Sequence, residues 1–335
     1  MIRIPFEAAK DELRRVLLSR DCSADKADTV SHEMARNSLD GTYSHGINRF
    51  SRLVRNIDEG IVQVDAHPSL IHAFGAIENY DGNLGLGIVN AQFAMGRAIE
   101  LARTHGISLV ALRNTNHWLR AATYGYQACE AGMAALCTSN TMPNMPTWGA
   151  VDARLGNNPL TLAFPRAKGH VIVDLAMTQY SYGAMEAALL AGKQMQADAG
   201  FDRHGALSRD PKEVIASRRP VPMGCWKGAG LSMLLDAFAG CMSLGSMVAG
   251  IGRLPGDEHG VSQLFIAVNY RMIAPADQSE AILDDAVDWL LASQPQEEGR
   301  QIVYPGQRAA ACQGENLRLG IPVDERIWQE IKSLA

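Results

Sequence analysis

Apolar residues recur at three- and four-residue spacings through the first sixty positions, then give way to short apolar runs alternating with helical stretches. That change of period demands a helical unit followed by a body in which helices cover a sheet. Residues 6 to 20 put Phe6, Ala9, Leu13, Val16 and Leu17 on one face, with Lys10, Asp11 and Arg14 opposite. Ser23 offers an N-cap for a second helix that buries Ala27, Val30, Met34 and Ala35. A third helix runs over residues 48 to 59, with Phe50, Leu53, Val54 and Ile57 inward and Gly60 as its stop.

From residue 66 onward the spacing predicts helices over 87–105, 121–131 and 181–194. It predicts strands over 107–112, 133–138, 160–164, 171–175 and 263–269. A loop rich in Asp, Gly, Arg and Pro covers 198–224, and helices over 278–293 and 324–333 close the chain. Ala229 to Gly252 nears the length of a membrane span, but it carries Asp236 and several glycines and reads as a buried core helix followed by a glycine-rich turn. The fold class is therefore α/β, a mixed sheet flanked by helices. A helical unit is formed by residues 1–65 joined by 275–335, and 66–274 form the mixed α/β domain.

A net charge of -5 with no long Lys or Arg runs gives no reason to expect nucleic acid or an anionic membrane as a partner. Cys22, Cys129, Cys137, Cys225, Cys241 and Cys312 form no CxxC pair and read as reduced, mostly buried thiols of a cytoplasmic protein. Met1 to Phe6 run straight into a charged amphipathic helix, with no signal peptide.

Tyr43-Ser44-His45-Gly46 sets a histidine in a turn between helices, and His117 follows the apolar run Ile107 to Leu112 at a strand end. An imidazole with an ordinary pKa of about 6.5 can give or take a proton near neutrality. The histidines make no HxxxH or HExxH pair, so no metal is expected. No GxSxG elbow is present, and Gly85-Leu86-Gly87 follows a turn rather than a strand, so the dinucleotide fingerprint is missing too. Polar loops at Thr138-Ser139-Asn140 and Gly156-Asn157-Asn158-Pro159 are further candidates. Lys227 at a helix start could meet an anion or merely solvate that end. Asp174, within the apolar run 171–175, needs a partner; a ribose hydroxyl, a histidine or a capping role would serve.

In combination, Tyr43-Ser44-His45-Gly46 with Asn48-Arg49-Phe50, Asn116-His117, Gly156-Asn157-Asn158-Pro159, Trp226-Lys227-Gly228 and Tyr304-Pro305-Gly306 resemble the malate/L-lactate dehydrogenase family that lacks the Rossmann fold. The likeness spans the whole chain and is greatest to the branch that reduces 2,3-diketo-L-gulonate to 3-keto-L-gulonate. The resemblance implies a metal-free, homodimeric reductase of 2-oxo acids with a non-Rossmann sheet. Its cofactor would be NADH, with NADPH as the alternative. It implies His45 as proton donor, while other branches give that role to the histidine matching His117; both stay candidates. Cofactor contacts would fall on His170, Val171, Ile172, Val173, Asp174, Leu175 and Ala176, on Trp226 and Lys227, and on Gly306, Gln307 and Arg308. Arg49 is the natural clamp for a substrate carboxylate, and Ser44 and Trp118 are expected beside the substrate. Malate, lactate, ureidoglycolate and piperideine-2-carboxylate remain alternative substrates on the same scaffold.

Overall fold

The computed structural model describes residues 1–256 and 258–334. Strand β1 (Ile2–Ile4) leads into α1 (Phe6–Leu18) and α2 (Ala24–Leu39), then the tight turns Tyr43–His45 and Ile47–Arg49, and α3 (Phe50–Asp58). The hairpin β2 (Ser69–Phe74) and β3 (Ile77–Asp81) is followed by α4 (Gly87–His105), β4 (Ile107–Asn116), α5 (Ala122–Glu130) and β5 (Ala134–Ser139). The short pair β6 (Met145–Pro146) and β7 (Ala153–Leu155) precedes β8 (Leu160–Phe164), β9 (Val171–Leu175) and α6 (Tyr182–Leu190). A second short pair, β10 (Gly200–Phe201) and β11 (Leu207–Ser208), leads to α7 (Pro211–Ser217), α8 (Trp226–Ser243), α9 (Val248–Ile251) and β12 (His259–Val268). The chain finishes with α10 (Ala276–Leu291), α11 (Gln307–Leu319), β13 (Ile321–Val323) and α12 (Glu325–Lys332).

The main sheet has the order β2-β3-β4-β12-β5-β8-β9. Only β3 and β4 run parallel; every other neighbouring pair is antiparallel. A doubly wound dinucleotide fold needs a parallel sheet with a crevice where strand order reverses, and this sheet has neither. The expected mixed sheet is thus what the chain builds.

The two larger hydrophobic cores organise the molecule. In the first, Ala9, Leu13, Val16 and Leu17 of α1 meet Ala27, Val30 and Met34 of α2 and Trp328 and Ile331 of α12. Pairing of Ile2, Arg3 and Ile4 with Val323, Pro322 and Ile321 fixes the two chain ends together beside them. Of the C-terminal stretch, α10 stands apart, held to the sheet body by Asp284 through Arg166 and Lys168. The second core lies between α4, α5 and the sheet, around Met95, Leu112, Trp118, Tyr124 and Phe265.

Helix α8 corrects one expectation. It buries Ala229, Ser232, Leu235, Asp236 and Ala239 but leaves Leu231, Leu234, Phe238 and Met242 exposed as a stripe along its other side. Among the described residues no helix is long and apolar enough to cross a membrane.

Candidate active site

The turn carrying His45 lies flat against the end of α2. A Cβ at Gly46 would stand 2.1 Å from Ser38 Oγ and 2.9 Å from the Met34 carbonyl, so only glycine lets the chain approach this closely. The Ile47 N–H donates to Ser38 Oγ at 2.8 Å, and Asn37 Nδ2 donates to the His45 carbonyl at 3.0 Å. The His45 ring is oriented locally, with Nδ1 2.9 Å from the hydroxyl of Ser44.

His117 follows the last residue of β4. Its backbone N–H donates to the Glu258 carbonyl at 3.1 Å. A Cβ at Gly87 would meet the His117 carbonyl at 2.2 Å, so the start of α4 packs directly beneath this loop. The Leu119 N–H donates to His117 Nδ1 at 3.0 Å. That bond keeps Nδ1 unprotonated and puts the ring proton on Nε2.

Residues 72 positions apart in sequence thus present two facing rings, with centroids 5.7 Å apart and planes 23° from parallel. Both histidines keep solvent access while protein atoms crowd round them, which describes the wall of a cleft. Burial, His117 and Arg49 push His45 down to about 3. Burial likewise pushes His117 down to about 4, with Glu258 opposing and Arg49 and Arg52 assisting. Both rings are therefore neutral at pH 7 in the free protein, not poised near 6.5 as the sequence alone suggests.

Arg49 ends the turn Ile47–Arg49 at the threshold of α3 and donates from Nη2 to Glu258 Oε2, while Arg52 Nη1 lies 3.3 Å from Glu258 Oε1. Burial opposes ionisation of Glu258, yet His117, Arg49 and Arg52 hold its carboxyl down at about 2. Sequence reasoning passed over Glu258. The sequence offers only an acidic segment between Gly256 and Gly260, with nothing to name its partner; in the structure Glu258 takes φ 62°. A cavity of about 260 Å³ adjoins this group, walled by Met142, Pro143, Ile251, Leu254 and His259.

The Trp118 side chain, expected beside the substrate, turns inward. It is 2% exposed and packs against Tyr124 and Phe265 in the second core, leaving no surface for a substrate. The two asparagine loops are knots of the fold. Asn140 joins Asp236, Ser246 and Ser262, and Asn158 joins Ser232 and Thr141, both fully buried. Asp174 accepts from the Ala122 N–H at 2.9 Å and so caps α5, while its side chain stays exposed.

The sequence model of the malate/L-lactate dehydrogenase family matches residues 4–332. The chain belongs to the malate/L-lactate dehydrogenase family. It is 40% identical over 333 residues to the 2,3-diketo-L-gulonate reductase of Citrobacter koseri, covering 99% of this chain and 100% of that one. Its fold superposes on malate dehydrogenase from Pyrococcus horikoshii OT3 with a TM-score of 0.89 at 25% identity, covering 100% and 94% of the two chains. With delta1-piperideine-2-carboxylate reductase from Pseudomonas syringae pvar. tomato it shares the fold alone, at TM-score 0.85, 24% identity and full coverage of both chains. As a malate/L-lactate dehydrogenase family member the chain is an NAD(P)-dependent oxidoreductase acting on a 2-hydroxy or 2-oxo acid.

For this family member the segments expected to hold the dinucleotide fall into two groups. His170 to Ala176 form or flank β9, an edge strand, and the Ile172 N–H donates to the Pro305 carbonyl at 3.1 Å. This seats Gly306, Gln307 and Arg308 at the first turn of α11, where Gly306 takes φ 99° and a Cβ would come within 3.0 Å of the His170 carbonyl. Gln307 folds back to accept from the Tyr304 N–H at 3.1 Å, so it serves the helix start. Exposed Arg308, in the first turn of that helix, has the charge to meet an anionic diphosphate. Trp226 and Lys227 form a second, exposed group at the start of α8, tied to the end of β9 through the Met223 N–H and the Met177 carbonyl, 2.8 Å apart. The residues present fit an NAD(P) cofactor.

Proposed function

We propose that this enzyme reduces a 2-oxo sugar acid, 2,3-diketo-L-gulonate to 3-keto-L-gulonate, as a homodimer in the cytoplasm. NADH is the proposed reductant, with NADPH the alternative. The observation that carries the reading is the pairing of His45 and His117 across one cleft beside Arg49. The choice of sugar acid is supported by 40% identity over the full length of a relative bearing that name.

When bound, the reduced nicotinamide supplies the hydride that the 2-keto carbon accepts. Arg49 holds the substrate carboxylate with guanidinium N–H groups not taken by Glu258. His117, its proton fixed on Nε2 by the Leu119 amide, donates a hydrogen bond to the carbonyl oxygen. Protonating its Nδ1 would break that bond. His45 has no such restriction, because the Ser44 hydroxyl can donate to Nδ1 or accept from it. His45 is therefore the proton donor. Its imidazole takes up that proton as the substrate docks, since a carboxylate on Arg49 offsets one of the charges that depress it.

The dimer is supported by the stripe Leu231, Leu234, Phe238 and Met242 together with Trp226, 68% exposed. A second copy would cover an apolar surface of this kind. The test is oxidation of NADH and of NADPH against 2,3-diketo-L-gulonate, oxaloacetate, pyruvate and piperideine-2-carboxylate. The sugar acid is expected to give the highest kcat/KM with NADH. A higher value for any other acid reassigns the substrate.

A further inference from the structure

Arg49 and Arg52 are three residues apart at the start of α3, and both reach the same carboxylate, that of Glu258. Two guanidiniums against one carboxylate leave a single positive charge, and the two histidines beside them are neutral. One substrate carboxylate cancels that charge, and the proton that His45 then takes up goes to the ketone oxygen rather than remaining to meet a second carboxylate. Among the described residues, a second would find no cation in the remaining walls of the adjoining cavity, which are Met142, Pro143, Ile251, Leu254, two glycines and His259. It would instead face the fixed charge of Glu258, whose position is set from both ends. Its carbonyl accepts from His117, and its side chain is held by the arginines.

A carboxylate has about four acceptor sites and no donor. Each oxygen of Glu258 uses one site on an arginine and keeps capacity for a hydroxyl hydrogen, whereas it repels another carboxylate. The geometry points to Glu258 as the residue that selects a hydroxylated monocarboxylic 2-oxo acid over a dicarboxylic one. This rests on the 2-oxo acid reductase reading above and adds to it the residue that discriminates by charge.

Hydroxypyruvate and oxaloacetate make the comparison, since they differ chiefly in carrying a hydroxyl or a carboxylate on the carbon next to the ketone. Steady-state NADH oxidation is measured with the wild-type enzyme and with Glu258→Gln and Glu258→Asp. Wild type is expected to favour hydroxypyruvate in kcat/KM. Glu258→Gln should move that ratio towards oxaloacetate by roughly tenfold, the scale of one like-charge contact in a partly buried site, and Glu258→Asp should hold it. A wild-type preference for oxaloacetate overturns the inference even if Glu258→Gln does not fold. So does an unchanged ratio in a Glu258→Gln enzyme that still reduces both acids. If wild type oxidises neither NADH nor NADPH with any 2-oxo acid, it is the reductase reading that fails.

Discussion

The guanidinium of Arg120 is paired with the carboxylate of Asp40, with only 6% and 3% of the two side chains exposed. Asp40 ends α2 five residues before His45, and Arg120 follows His117 by three. A parallel link runs from the Thr123 hydroxyl to Asn37 Oδ1 at 3.2 Å, and Asn37 in turn holds the His45 carbonyl. The helical unit and the sheet body are thus joined directly behind the two imidazoles.

Breaking that pair from one side should be costly. Arg120→Met leaves Asp40 with only Arg36 at 3.2 Å and Gln313 at 3.1 Å, and is expected to lower stability by about 3–5 kcal/mol in urea unfolding. The double change Asp40→Leu with Arg120→Met should recover much of the loss, because two well-packed apolar side chains leave no buried charge unpaired. A single variant as stable as wild type would remove the pair from the account.

The depressed histidines set the pH dependence. The ring that must be protonated is titrated in the free enzyme near pH 3, so kcat/KM for reduction should fall steadily as pH rises from 5 to 8, about tenfold per unit. Oxidation of the hydroxy acid needs the neutral ring, which is already present, and should be flat over the same range. A plateau below pH 6 with a bend near 6.5 in the reductive direction would show an unperturbed imidazole.

Arg49→Leu removes a charge-assisted contact to the substrate carboxylate. KM should rise by roughly ten- to a hundredfold, the equivalent of about 1.5–3 kcal/mol, with a smaller change in kcat. Loss confined to kcat in steady-state kinetics would mean that Arg49 acts in the transition state alone.

Much of this was legible in the residues, for identifiable reasons. Helix α4 was read to its bounds, Gly87–His105, because apolar spacing and a glycine at each end mark it locally. Strands β8 and β9 were likewise bounded by turn residues. Helix α11 was missed; Ala309, Ala310 and Ala311 followed by Gly314 give little apolar period to detect. The strand pair that joins the chain ends rests on three residues from each, too short to stand out. His45 and Arg49 drew attention because a glycine turn isolates them. Glu258 did not, since its partner Arg49 lies 209 residues away and nothing local announces the pairing. Trp118 was misplaced for a different reason. It adjoins His117, but Leu119 takes φ 62° and the chain turns so that the indole packs inward on Tyr124.

His45 is the proposed source of the proton, and the direct measurement is NADH binding and turnover in a His45→Ala enzyme. NADH fluorescence titration should give near wild-type affinity while reduction of the 2-oxo acid falls by about two to four orders of magnitude. A His45→Ala enzyme that turns over at the wild-type rate, with His117 intact, would contradict it.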